Sequence, residues 1–179
     1  MWRKRLDIKD EKERIIKDYK KSKQRTMDRA VRLLAAKPRS IAELRERLLE
    51  KEWTNGAIVD EVLEKLKEYD YLNDDQYAKA LASSKLLRKP LGRRRLKQTL
   101  AQKKLDKETV ERAVEKVYEK TPEDEVIERA IKKRLRLKGK PETREDAKKF
   151  YDYLMRQGFS YDLISAKMRE LGKFEEETE

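Results

Sequence analysis

The feature that most constrains the fold is an internal repeat with helical periodicity. Leu48, Leu100 and Leu154 anchor its three copies and lie 52 and 54 residues apart. Four residues before each anchor, and five, ten and fourteen after it, every copy has an apolar residue: Leu44, Leu96 and Phe150; Trp53, Leu105 and Phe159; Ile58, Val110 and Ile164; Val62, Val114 and Met168. Such agreement predicts a tandem array of one supersecondary unit.

Each copy contains three stretches with i, i+3, i+4, i+7 apolar spacing, which is typical of amphipathic helices. Proline separates the first two stretches of every copy, at Pro38, Pro90 and Pro141. Because proline cannot continue a helix interior, these positions end the first helix of each copy. Runs of β-branched residues with period two are absent.

We therefore predict an all-α fold of three tandem three-helix repeats that form an elongated, curved solenoid. The repeats span residues 24–71, 72–120 and 121–171, after a basic N-terminal extension at 1–23 and before an acidic tail at 172–179. Four helix starts are predicted. Ser40 with Glu43 and Asn73 with Gln76 are capping boxes. Thr121-Pro122 is a cap followed by a proline at the first helical position, and Ser160 is a serine cap.

Absent residue types exclude several classes of function. The 179 residues include no Cys and no His, so a disulfide framework, a thiolate zinc site and a Ser-His-Asp triad cannot form. No apolar run is long enough to span a membrane, and the five glycines form no nucleotide-binding fingerprint. We predict a cytoplasmic, non-enzymatic protein without cofactor or metal, and without membrane association.

The charge is concentrated in blocks that lack acidic residues. The chain has 48 Lys and Arg against 36 Asp and Glu, a net charge of +12. The first basic block lies within residues 85–105 and consists of Lys85, Arg88, Lys89, Arg93, Arg94, Arg95, Lys97, Lys103 and Lys104. The second basic block lies within residues 129–140 and consists of Arg129, Lys132, Lys133, Arg134, Arg136, Lys138 and Lys140. Both blocks predict binding to a polyanion or to an acidic protein groove, against the alternative of a merely solvated face.

The first block is the leading candidate. Since Leu96 and Leu100 face the core, we expect Arg93, Arg94 and Lys97 to lie on the exposed side of their helix. Reversing these three charges should then abolish partner binding and leave the fold intact. The N-terminal basic residues 3–25 are either a tether or a solubilising segment.

Other polar and aromatic residues have structural interpretations. Asp74-Asp75 and the acidic run at 123–125 are expected at helix starts, where the helix dipole favours anions, rather than in a metal site. Ser83-Ser84 lacks a general base and is not expected to be a nucleophile. The aromatic residues are expected in the core. The alternative, stacking on nucleobases, fits best for Trp2, Tyr151 and Tyr161.

Three motifs in order carry a family resemblance. The second copy reads YLNDDQYA over 71–78, GRRRL over 92–96 and LAQKKL over 100–105, and the first copy reads PRS over 38–40 and ELRERL over 43–48. Over residues 25–171 the chain resembles the RecX family, regulators of the RecA recombinase. The family patterns are a "YLND(D/E)xx(Y/F)A" box, a "GPxR(L/I)xxxLxxKG(I/V)" box and an early "RSxxELxxxLxxK" box; one departure is Arg93 in place of the proline after Gly92.

The resemblance implies a curved helical-repeat protein that is free of chemistry of its own. It would lie in the groove of the RecA–DNA filament and restrain ATPase, strand exchange and co-protease activity in homologous recombination, DNA repair and the SOS response. We expect a monomer in the absence of the filament, and phosphate contacts to single- or double-stranded DNA with little sequence selectivity. The alternatives are a sequence-nonspecific nucleic-acid-binding protein that acts without recombinase, and a helical scaffold for another acidic partner.

Overall fold

The computed structural model describes residues 14–176, and side chains over 14–171. This part of the chain folds into nine α-helices and contains no strand. Their bounds are α1 Tyr19–Ala36, α2 Ile41–Leu49, α3 Gly56–Glu68, α4 Asp74–Arg88, α5 Arg93–Ala101, α6 Lys107–Lys120, α7 Glu123–Lys138, α8 Arg144–Gln157 and α9 Tyr161–Glu176. The all-α repeat fold predicted from the apolar spacing is therefore confirmed. Among the described helices, none has the length and apolar character that crossing a membrane would require.

The repeat anchors are core residues in every copy. Leu48, Leu100 and Leu154 have no solvent exposure. The equivalent positions around them are also buried, apart from Trp53 and Met168, which are half-buried. The Arg25 guanidinium lies over the Trp53 ring, 4.3 Å from the centroid. The apolar spacing therefore identifies the inward faces of the second and third helices of each repeat.

Two of the four predicted helix starts are confirmed. Ser40 and Glu43 form the capping box of α2, with the Glu43 amide donating to Ser40 Oγ over 3.1 Å. At the start of α9, Ser160 Oγ accepts from the Leu163 amide over 3.3 Å. Both side chains satisfy amides that have no partner within their own helix.

The other two helix starts differ from the prediction. Asn73 accepts from the Gln76 amide over 3.0 Å, but the Gln76 side chain donates to Asp70 over 3.2 Å, so the second half of the box is missing. Thr121 is extended and ends α6, since a residue before proline is driven out of the helical region. Pro122 is consequently the N-cap of α7, one residue later than expected.

The described chain divides into two compact units. One contains the residues up to Tyr77 together with 103–105, and the other contains 78–102 and the residues from 106 onward. The first unit also includes Arg14, whose guanidinium donates to the carbonyls of Leu49 and Lys51 at 3.1 and 2.9 Å. α1 begins at Tyr19, five residues before the expected start of the first repeat. Residues 1–13 of the extension predicted at 1–23, with Trp2, and residues 177–179 of the tail predicted at 172–179 lie outside the described residues.

In two places the second helix of a repeat is capped by a carboxylate from the repeat that follows it. Within the first unit, Asp74 at the start of α4 accepts from the Ile41 amide of α2 over 2.9 Å. Within the second unit, Glu123 at the start of α7 accepts from the Arg93 amide of α5 over 2.8 Å. Ile41 and Arg93 are both the first residues of their helices, where unpaired amides favour an anion.

Two glycines permit a close backbone approach between α5 and α8. The Gly92 amide donates to Gln157 O over 2.9 Å, and the Arg94 amide donates to Gly158 O over 3.3 Å. Gly158 ends α8 in the left-handed conformation, with φ 93°. A Cβ atom at Gly92 would lie 2.3 Å from the Gly158 carbonyl carbon, and one at Gly158 would lie 2.4 Å from the Arg95 nitrogen. No larger residue fits either position without moving the backbone.

Candidate functional site

Arg93, at the centre of the first basic block, is held by structural contacts. Its guanidinium pairs with Glu115 over 2.6 Å and with Glu123 over 3.3 Å. It also lies over the ring of Tyr118, 4.7 Å from the centroid. The Tyr118 hydroxyl donates to Leu91 O, and burial of this side chain raises its pKa. Arg93 thus joins the start of α5 to α6 and α7 in a half-buried network.

Three further cations of the first block have acidic partners on other helices. Lys97 lies 3.7 Å from Glu111 of α6, an exposed pair of small energetic value. Lys103 pairs with Glu43 over 3.0 Å, and Lys104 pairs with Glu46. The absence of acids from the block in sequence therefore does not mean that its charges lack partners in the fold.

The expectation that Arg93 lies on the exposed side of α5 is wrong, since its side chain is half-buried. These contacts also argue against the prediction that its reversal leaves the fold intact. A glutamate there would lie beside two carboxylates and would lose the contact with Tyr118. Arg94, by contrast, is exposed and donates to Met155 O over 2.8 Å. Sequence spacing placed these residues off the apolar stripe, but it could not show which neighbouring helices cover them.

Seven cations of the two basic blocks form a surface at the end of α4 and along α7, which we call the α4–α7 surface. Arg129 of α7 donates to the carbonyls of Leu86 and Leu87 at 3.2 and 3.5 Å, so the two basic blocks meet here. The surface consists of Lys85, Arg88, Lys89, Lys132, Lys133 and Arg136 around Arg129. Within residues 14–171 none of the six cations around Arg129 forms an ion pair. All of them are exposed except Lys85, which is half-buried.

The helical spacing of α7 concentrates charge on one stripe. Arg129, Lys132, Lys133 and Arg136 occupy i, i+3, i+4 and i+7, which share a face of a helix. Lys138 is also exposed at the end of α7. Arg134 points away from this stripe and lies 5.3 Å from the centroid of the Tyr153 ring. The α4–α7 surface is therefore a concentrated patch of positive charge without neutralising acids of its own.

A second arginine cluster lies where α5 meets α8. Arg94, Arg95 and Arg156 line a concave surface of about 320 Å³ together with Gln98, Met155 and Gly158. Sequence reasoning missed Arg156 because it lies in neither basic block and is the only basic residue within 150–166. We call the three guanidinium groups the arginine cradle.

The tyrosines considered for base stacking are adjacent. Tyr151 and Tyr161 meet edge to face, with ring centroids 5.9 Å apart. They line an open groove of about 660 Å³ between α8 and α9. The Tyr151 hydroxyl is buried without a hydrogen-bond partner, and desolvation raises its pKa. Lys148 and Arg169 border this groove, but so does Asp162, and the local charge does not select a polyanion.

The described residues contain no cluster of three or more acidic side chains suited to a metal ion. Asp74 lies at the start of α4 as expected, and it also caps α2, because it accepts from the Ile41 amide. Glu123 has the same role toward α5, whereas its own helix, α7, has no side-chain cap. Two of the acids singled out in the sequence, Asp74 and Glu123, thus cap neighbouring helices.

Comparison with known proteins identifies the class to which this repeat fold belongs. Residues 27–66, 73–114 and 122–168 match the first, second and third three-helix domains of RecX. The chain belongs to the RecX family, whose members are regulatory proteins.

Curated relatives agree with this assignment. The chain is 33% identical over 135 residues to a regulatory protein RecX from Caldanaerobacter subterraneus, covering 75% of this chain and 64% of the relative. It is 31% identical over 144 residues to the RecX of Bacillus subtilis, covering 80% and 54%. The chain thus spans between about half and two thirds of the length of these relatives.

Solved structures show the same fold. A crystal structure of RecX from Lactobacillus salivarius superposes with a TM-score of 0.75 at 22% identity, covering 85% of this chain and 97% of that chain. Another structure of a regulatory protein RecX gives a TM-score of 0.69 at 21% identity, covering 82% and 71%.

Proposed function

We propose that this chain regulates a RecA-type recombinase by binding to its filament on DNA. It lies in the filament groove and restrains ATP hydrolysis, strand exchange and co-protease activity, with no chemistry of its own. Membership of the RecX family supports the partner. The observation that carries the binding mode is the α4–α7 surface, because its exposed cations have no acidic partner among the described residues.

The surface suits a ligand with repeated negative charges. Arginine forks onto phosphate or carboxylate groups, and lysine supplies a mobile point charge. The described helices carry no side chains that we recognise as a base-reading set, so contacts to DNA are to phosphates and have little sequence preference. The free protein is a monomer, and the filament supplies the second binding surface.

Charge reversal on α7 tests this surface. Lys132→Glu, Lys133→Glu and Arg136→Glu together change the local charge by −6. If each reversal costs about 0.5–1 kcal/mol of binding, the three together cost about 1.5–3 kcal/mol, and half-inhibition of recombinase ATPase on single-stranded DNA requires roughly 10- to 150-fold more protein. The matched control reverses Lys107, Lys116 and Lys120, which are exposed on α6 and have no ion pair in the described structure.

We expect the control to inhibit like the wild type and both variants to melt cooperatively. A folded α7 variant with full inhibition would contradict the assignment of this surface. Binding to naked DNA that recombinase does not strengthen, together with unchanged ATPase, would instead favour a nucleic-acid-binding protein that acts alone.

A further inference from the structure

We propose that the arginine cradle binds a phosphodiester group of a DNA strand, at a site separate from the α4–α7 surface. The proposal rests on the proposed function in that it names the chemistry of one contact to the nucleic acid. Its residues are Arg94 and Arg95 of α5 and Arg156 of α8.

The first turn of α5 contains basic residues, which the dipole of the helix disfavours at this end. A helix N-terminus carries partial positive charge and favours acids in the first turn. Six of the nine described helices have Asp or Glu in their first turn. α5 instead opens with Arg93, Arg94 and Arg95, and its N-cap, Gly92, offers no side chain. Of these three arginines, Arg93 alone has acidic partners among the residues that the structure describes. Departures from local rules of this kind are typical of functional sites.

The third arginine comes from another helix end. Arg156 is exposed in the last turn of α8 and makes no described contact with an acid. The Gly92–Gly158 approach brings this helix end against the start of α5, and Arg94 fixes it by donating to Met155 O over 2.8 Å. Three cations are therefore held together by backbone geometry, and no residue lining the cavity is acidic.

The chemistry of the site favours a compact anion with several oxygen atoms that accept hydrogen bonds. Two or three guanidinium groups around one concavity match the several acceptor oxygens of a phosphate. The Arg94 guanidinium is anchored through one nitrogen, and Arg95 makes one long contact of 3.4 Å to Gln98, so other N–H groups of both side chains have no partner among the described residues. Gln98 adds an amide that can donate to a sugar or phosphate oxygen.

The test measures binding of fluorescent oligo(dT) by anisotropy across a salt series, with no recombinase present. The variant is Arg95→Gln with Arg156→Gln, which keeps side-chain length and removes two charges. A phosphate contact on single-stranded DNA contributes about 0.7 to the slope of log K against log salt, which corresponds to about fivefold in affinity at 0.1 M salt. We expect losses of this size. Arg156→Gln alone should show part of the loss and serves if the double variant does not fold.

The matched control is Arg32→Gln with Lys37→Gln, which removes two exposed charges in the other unit. An unchanged slope in the cradle variant, or an equal change in the control, would overturn the proposal. Loss of recombinase inhibition with unchanged oligo(dT) binding would also overturn it, since the cradle would then take an acidic protein group. Loss of oligo(dT) binding supports the cradle even if recombinase is unaffected, so its outcome is separable from that of the proposed function.

Discussion

Gly92→Ala should destabilise the fold although its backbone conformation suits any residue. Gly92 has φ −76° and ψ 163°, which alanine adopts without strain. The cost arises from contact, because the added Cβ would lie 2.3 Å from the Gly158 carbonyl carbon and within 2.4 Å of Gly158 O and Phe159 N. These atoms belong to the backbone, so the helix ends must separate.

The magnitude follows from what separation breaks. The Gly92 amide to Gln157 O and the Arg94 amide to Gly158 O are lost or stretched. At about 1 kcal/mol each, plus local packing, the expected loss in free energy of unfolding is about 2–4 kcal/mol. Urea denaturation followed by circular dichroism measures it. Gly56→Ala is the control, since among the described residues its Cβ would meet only Arg45 Nη2 at 3.6 Å, an ordinary contact.

The control should change stability by less than about 1 kcal/mol. A Gly92→Ala variant within 0.5 kcal/mol of the wild type, on the order of an ordinary surface substitution, would refute the close approach of α5 and α8. The same variant should weaken oligo(dT) binding through the cradle, because Arg156 moves away from Arg94 and Arg95.

Two further predictions concern local conformation and pH. Lys104 has φ 57°, a left-handed conformation that costs a side-chain-bearing residue about 1 kcal/mol, so Lys104→Gly should have a free energy of unfolding higher by up to that amount than Lys104→Ala, which loses the pair with Glu46 equally; equal stability of the two variants in urea titrations would contradict the conformation. Asp106 accepts from the Thr109 amide over 2.8 Å as the N-cap of α6, and this hydrogen bond lowers its pKa. Because the folded pKa lies below the unfolded one, the stabilisation is present above about pH 4 and is lost as pH falls through the folded pKa. Asp106→Ala should therefore melt below the wild type at pH 7, and the two melting temperatures should converge in acid; a constant difference would contradict the cap.

The fold could be predicted from sequence because burial repeats with the helix period. Leu48, Leu100 and Leu154 are buried for a reason visible in spacing alone, since the apolar residue at −4 shares their helix face and those at +10 and +14 form the apolar face of the next helix. The prolines and serine caps marked the links between helices for equally local reasons. Thr121 shows the limit of such signals, because the conformation forced by Pro122 ended one helix instead of starting the next.

The candidate site depended on contacts that spacing does not encode. Arg93 faces Glu115 and Glu123, which are 22 and 30 residues further along the chain. Asp74 caps a helix that begins 33 residues before it. Arg156 joins two arginines 61 and 62 residues earlier only because two glycines let helix ends touch. The basic blocks are visible in the sequence, but the packing of the helices determines which of their charges can bind a ligand.

The most direct test of the central claim is the rate of ATP hydrolysis by recombinase on single-stranded DNA, titrated with this protein at two salt concentrations. The account predicts that the rate falls as protein is added, and that more protein is required at the higher salt because the contacts are to charged groups. An unchanged rate at protein concentrations that saturate naked DNA would contradict it.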